Sequence, residues 1–158
     1  MPTDSQLPLR ALPVPPPPWA KRLGYGGLLP FVGLGLATWV LEDARQSQAV
    51  FALLAYGGTI LSFLGAIHWG LALRDRGDPP VAMLAWGVVP SLLAWVALLW
   101  GASGGLWLLA AGLAACWVVD RSVYPRFGLE GWLGMRRNLT VVASLMCVAA
   151  SLAPLRQA

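Results

Sequence analysis

The chain has 158 residues, of which 58% are hydrophobic and only 11% are charged, and its formal net charge is +4. Soluble domains carry about 25% charged residues, so this composition excludes a fully water-exposed surface and predicts a single domain in a lipid bilayer. The basic residues stand between apolar runs rather than on one polar face, which argues against a nucleic-acid partner.

The first 22 residues differ in composition from the rest. They contain "LPVPPPPWA", and consecutive prolines cannot form a helix interior but favour extended polyproline II. We therefore expect residues 1–22 to be a disordered, proline-rich cytoplasmic tail. A spacer is the main interpretation, and a ligand for a proline-reading partner is the alternative.

Five apolar runs follow the tail. A helix needs about 20 apolar residues to cross about 30 Å of hydrocarbon, and the runs lack the period-two alternation of barrel strands. The loops between them are short, so neighbouring helices are expected to be antiparallel. The sequence predicts an all-α integral membrane protein with one transmembrane domain over residues 23–155. Its expected spans are residues 23–41, 49–73, 81–100, 105–119 and 138–154, the fourth being short.

The basic residues predict the orientation, because they accumulate on the cytoplasmic side of membrane proteins. With this threading, nine of the 11 basic residues lie on the side of the N-terminus, and only Arg45 and Arg156 lie on the other. We expect a cytoplasmic N-terminus and a periplasmic C-terminus.

The second run has a face of small and polar residues. At 100° per residue, Gly57, Gly58, Ser62, Gly65, His68 and Trp69 share one side of a helix. Small residues let another helix approach closely, so Gly57, Gly58 and Gly65 are predicted packing positions. Ile60, Phe63, Leu64, Ala66 and Ile67 occupy the opposite, apolar side.

His68 is the only histidine of the chain, and an ionisable group within a span is a functional-site hypothesis. Two interpretations stay open: a neutral ring satisfied by a serine, a carbonyl or Asp120, or a proton-relay or ligand site. Asp120 is expected at a helix C-terminus, where the macrodipole disfavours a carboxylate, so Arg121, Arg74 or Arg137 is expected to compensate it. The candidate polar site comprises His68, Trp69, Ser62, Ser91, Asp120, Arg121 and Arg137.

Metal and disulfide chemistry are not indicated. Cys116 and Cys147 together with one histidine lack the spacing of a metal site. The two cysteines are expected to differ in depth by about 8 Å, which is too far for a disulfide. The sequence identifies no cofactor.

The segments "YGGTILSFLGAIHWGLAL" and "VVPSLLAWVALL", with "DR" at the end of the next span, resemble a family of small membrane proteins. The family is catalogued as domain of unknown function 3429, and mitochondrial transmembrane protein 69 is its animal relation. The resemblance implies five spans in a bacterial inner membrane or a mitochondrial membrane, and it implies no activity. Short basic loops without an Arg- and Ser-rich transit peptide favour the bacterial inner membrane.

Two classes of function remain open. The main hypothesis is a non-catalytic accessory or assembly subunit that packs against a larger membrane complex or a second copy of itself. The alternative is a bundle that handles a small molecule, a quinone or protons at a site around His68, Trp69 and Ser91. Covalent catalysis is disfavoured, because the sequence shows no acid pair and no nucleophile elbow.

Overall fold

The computed structural model describes residues 15–74 and 80–154, and this part of the chain is helical with no strand. The all-α class is confirmed. Two short 3₁₀ turns, Tyr124–Phe127 and Glu130–Trp132, join the last two helices. The helices are α1 (Pro18–Gly26), α2 (Leu28–Val40), α3 (Asp43–Arg74), α4 (Val81–Trp100), α5 (Ala102–Val123) and α6 (Leu133–Ser151).

Four segments of the described chain are long and apolar enough to cross a membrane: Pro18–Val40, Asp43–Arg74, Val81–Trp100 and Ala102–Phe127. The multi-pass character is therefore confirmed. The predicted fifth span corresponds to α6, which is not among these four, because its first turns hold two arginines and an asparagine. It nevertheless packs along α5 and α2 as part of the bundle.

The first helix begins at Pro18, five positions before the expected start at residue 23. Proline is suited to the first helical position, where its missing N–H is not needed and its φ is already helical. Pro17 precedes it in an extended conformation. Residues 1–14 of the expected disordered tail lie outside the described residues.

The segment "EDARQSQ", expected to be a loop, is helical from Asp43 onward, so that α3 has 32 residues. The buried Gln46 side chain explains why this polar turn belongs to the bundle. Its Nε2 donates to the backbone oxygens of Thr38 and Pro154, each at 2.8 Å. These bonds join the start of α3 to α2 and to the segment that follows α6.

The connection between α4 and α5 is a single residue, Gly101, with φ of 86°. Glycine adopts positive φ without the steric cost of a side chain, so it allows this tight reversal. The expected short span of residues 105–119 thereby gains three residues at its start and four at its end.

The central helix is α3, which packs against α4, α2 and α5. Gly65 lies closest to α4: a Cβ at this position would be 2.5 Å from the Gly87 backbone oxygen. Gly58 faces Ala94 of α4, and a Cβ at Gly57 would lie 2.9 Å from Leu109 Cδ1 of α5. The small residues of α3 are therefore in contact inside this chain.

The opposite side of α3 is only partly exposed. Phe63 and Ala66 are exposed, whereas Leu64 is buried. The prediction of one wholly lipid-facing side is wrong at Leu64, because α3 is covered on more than one side by its neighbours.

Candidate intramembrane polar site

Three buried polar side chains from three helices form one cluster. His68 of α3 and Asp120 of α5 are each 1% exposed, and Arg136 of α6 is 7% exposed. Each lies on the face that its helix turns toward the others. We call His68, Asp120 and Arg136 the buried triad.

The Asp120 carboxylate is the centre of the triad. Arg136 Nε donates to Asp120 Oδ2 at 2.9 Å, and Arg136 Nη2 donates to the same oxygen. The other oxygen, Oδ1, lies 3.6 Å from His68 Nε2. Because this distance exceeds a hydrogen bond, neither ring nitrogen of His68 has a hydrogen-bond partner in the described structure.

The partner that compensates Asp120 is Arg136, not Arg121, Arg74 or Arg137. All three of those arginines are exposed, and Arg121 lies over the Trp117 ring at 5.0 Å from its centroid. Arg137 is one residue, and so about 100°, away from Arg136 around α6.

A signal in the sequence does identify Arg136. The buried residues of α6 recur at the helical period, and Arg136 is the first of them. The set is Arg136, Thr140, Ala143, Cys147 and Ala150.

The remaining candidates do not join the triad, since His68 makes no hydrogen bond to any of them. Trp69 is 44% exposed, and its Nε1 donates to the Leu84 backbone oxygen at 2.9 Å. Its indole lies against Gly87, so Trp69 stabilises the α3–α4 contact. Ser62 and Ser91 are half-buried, and Ser91 follows Pro90, which packs against Gly65.

A cavity of about 380 Å³ lies beside the triad, between the α1–α2 segment, α3, α5 and α6. Its lining is almost wholly apolar, and its polar side chains are Arg136, Tyr124 and Thr140. Arg136 therefore contacts Asp120 and also faces the cavity. The sequence analysis missed this cavity, because its walls come from segments up to 120 residues apart.

Metal binding has no support in the described residues, where no group of three or more potential ligands occurs. Cys116 and Cys147 are both buried, free thiols.

Comparison with known proteins gives a family but no activity. A family model described as "Protein of unknown function (DUF3429)" matches residues 16–152. Transmembrane protein 69 of Xenopus tropicalis is 36% identical over 140 residues, which cover 85% of this chain and 54% of that protein. Transmembrane protein 69 of Mus musculus is 33% identical over 82 residues, 51% of this chain and 33% of the relative.

The chain thus spans about half the length, or less, of the curated relatives it matches. No solved structure matches it. Since the family model covers most of the helical bundle, including all three triad residues, the chain belongs to the DUF3429 family of multi-pass membrane proteins.

Proposed function

We propose that this protein is a non-catalytic membrane protein whose buried triad takes up and releases a proton at His68. One observation carries the proposal: Arg136 makes both of its bonds to Oδ2 of Asp120, while Oδ1 faces the unpartnered Nε2 of His68 at 3.6 Å. A protonated imidazole donates from both nitrogens. A small approach of the two side chains would then give Asp120 a second charged partner.

Protonation changes the charge of the triad and therefore the packing of three helices. With a neutral imidazole, Asp120 and Arg136 balance each other. With a protonated imidazole, the carboxylate is shared between two cations, and the Arg136 contact is expected to weaken. Since the triad joins α3, α5 and α6, their packing is expected to depend on the state of His68.

Two further titratable side chains lie near the triad. Cys116 of α5 and Tyr124, just after α5, are both buried and interact electrostatically with Asp120 and Arg136. A thiol and a phenol stay neutral near neutral pH when they are not activated, so His68 is the group expected to change charge there.

The proposal is tested by counting protons. Purified wild type and His68→Gln are titrated in detergent between about pH 5 and pH 8, where histidine changes charge. We expect the wild type to bind one proton more than the variant and its tryptophan emission to change over the same range. Equal proton uptake by the two proteins would refute the proposal.

An accessory subunit of a larger membrane complex, or a self-associating one, is the second candidate. Gly57, Gly58 and Gly65, which suggested it, make contacts within this chain. Gly26 and Gly33, however, are exposed and seven positions apart, with open space where a Cβ would be. Such positions permit close approach of another helix. Mass spectrometry of the protein purified in mild detergent tests this role: a stoichiometric protein partner supports it, and its absence favours the proton-handling role.

Location and threading complete the proposal. We propose a bacterial inner membrane, with α6 as the fifth span, the N-terminus in the cytoplasm and the C-terminus in the periplasm. The support is the bias of nine basic residues against two, which orients such proteins.

A further inference from the structure

A second feature, separate from His68, lies between α1 and α6. A smaller cavity of about 250 Å³ is lined by Pro15, Pro16, Lys21, Tyr25, Gly131 and Met135. Met135 also lines the apolar cavity of about 380 Å³, so the two cavities are neighbours. We call the pair the α1–α6 groove.

The apolar part of the groove is long. Along α1 and α2 its lining runs from Ala20 to Phe31, and along α6 from Met135 to Ala143. Eleven positions correspond to about 16 Å at 1.5 Å per residue. An elongated apolar channel of this length has the shape of an extended hydrocarbon chain rather than of a compact ring.

The polar part of the groove lies at one end. Lys21 is on the first turn of α1, and Met135 is on the first turn of α6, so the smaller cavity is at the same end of both helices. The Asn138 side-chain amide donates to the Tyr25 hydroxyl at 3.4 Å, which joins the two helices there. This is the end of the bundle that carries most of its basic residues, the end expected at the membrane surface.

The charge at this end is positive. Lys21 lines the smaller cavity and Arg136 lines the larger, and neither lining includes an acidic side chain among the described residues. Two of the five N–H donors of Arg136 bind Asp120, so others remain for an acceptor on the cavity side. A long apolar channel that ends in a cationic surface pocket complements a lipid with an anionic head group.

We propose that the α1–α6 groove binds an anionic phospholipid from the leaflet on the side of the basic loops. One acyl chain occupies the apolar cavity, and the phosphate contacts Lys21. The proposal goes beyond the proton-handling role, since no part of it requires His68 to titrate.

The test is native mass spectrometry of the full chain purified in mild detergent, with phosphatidylglycerol or phosphatidylcholine of the same acyl chains added. We expect about a fivefold preference for the anionic lipid, the usual contribution of one basic residue near an anionic surface. Lys21→Gln should remove this preference, whereas Arg137→Gln, an exposed basic residue that lines neither cavity, should keep it.

Two tryptophan variants on α6 test the site of the acyl chain. Leu139→Trp fills the apolar cavity and should lower the occupancy of both lipids. Val141→Trp, on the exposed side of the same helix, should not. Circular dichroism establishes that each variant is folded. Where Leu139→Trp does not fold, Lys21→Gln alone decides the question through the preference between the lipids.

The outcomes separate the two proposals. Equal binding of both lipids by the wild type, or an unchanged preference in Lys21→Gln, would overturn the lipid site. Displacement of phosphatidylglycerol by inorganic phosphate would also overturn it, because the groove would then bind a free anion. His68→Gln should keep the lipid preference whether or not His68 handles a proton.

Discussion

The closest approach of two helices in the bundle is at Gly65 of α3, and the smallest possible side chain tests it. In Gly65→Ala the new Cβ would lie 2.5 Å from the Gly87 backbone oxygen and 3.1 Å from Pro90 Cγ. A separation below 3.0 Å from a backbone atom cannot be relieved by turning a side chain, so α4 must move away from α3. Overpacking of this kind costs about 1–3 kcal/mol.

Gly70 provides a matched control on the same helix. It is exposed, and a Cβ there would meet nothing within 4 Å. Because glycine in a helix interior is less stable than alanine by about 0.5–1 kcal/mol, Gly70→Ala should stabilise the protein slightly. The same chemical change is thus expected to have opposite signs at two positions of α3.

The assay is the free energy of unfolding of both variants in mixed micelles, measured by circular dichroism as denaturing detergent is added. We expect Gly65→Ala to be less stable than the wild type and Gly70→Ala to be at least as stable. If Gly65→Ala were as stable as Gly70→Ala, the close contact between α3 and α4 would be refuted.

Three further predictions concern the buried polar groups and the threading. Asp120→Asn or Arg136→Met alone should destabilise the protein by about 3–5 kcal/mol, since each leaves a buried charge unpaired, and the double variant should lose less than the sum in the same assay. Gln46→Leu strands two buried carbonyl oxygens and should cost about 1–3 kcal/mol, and a wild-type melting temperature would contradict this. A reporter active only outside the cytoplasm should be active when fused after Ala158 and silent when fused after Arg76, and the reverse pattern would reject the threading.

The sequence was sufficient for the parts of the fold that depend on local composition. The run at residues 81–100 coincides with α4, because a proline-rich segment and Gly101 bound it on either side. Helix starts were predicted less well. Asp43 and Pro18 begin α3 and α1 inside polar or proline-rich segments, where hydropathy gives no signal and capping and buried contacts decide.

The polar site was only partly accessible to sequence reasoning. His68 and Asp120 stood out as ionisable groups within or at the end of apolar runs, and the structure places them side by side. Arg136 was overlooked because two adjacent arginines at a helix start resemble a pair of interfacial anchors. Only the periodicity of α6 separates the buried Arg136 from the exposed Arg137.

The cavity between α1 and α6 could not be predicted from the sequence. Its volume depends on how far apart several helices are held, and that distance is set by contacts elsewhere, such as Gln46 between α2 and the segment after α6. A hydropathy pattern reports which side of a helix is apolar but not whether that side meets a neighbour or a space.

The central claim is that a buried imidazole in this bundle exchanges a proton, and the chain offers a direct measurement because His68 is its only histidine. With ¹⁵N-labelled histidine, the two ring nitrogens give one set of NMR signals that report tautomer and protonation. We predict that the folded protein shows a neutral ring at alkaline pH and a doubly protonated ring at acidic pH. A single neutral tautomer at every pH at which the protein stays folded would contradict the claim.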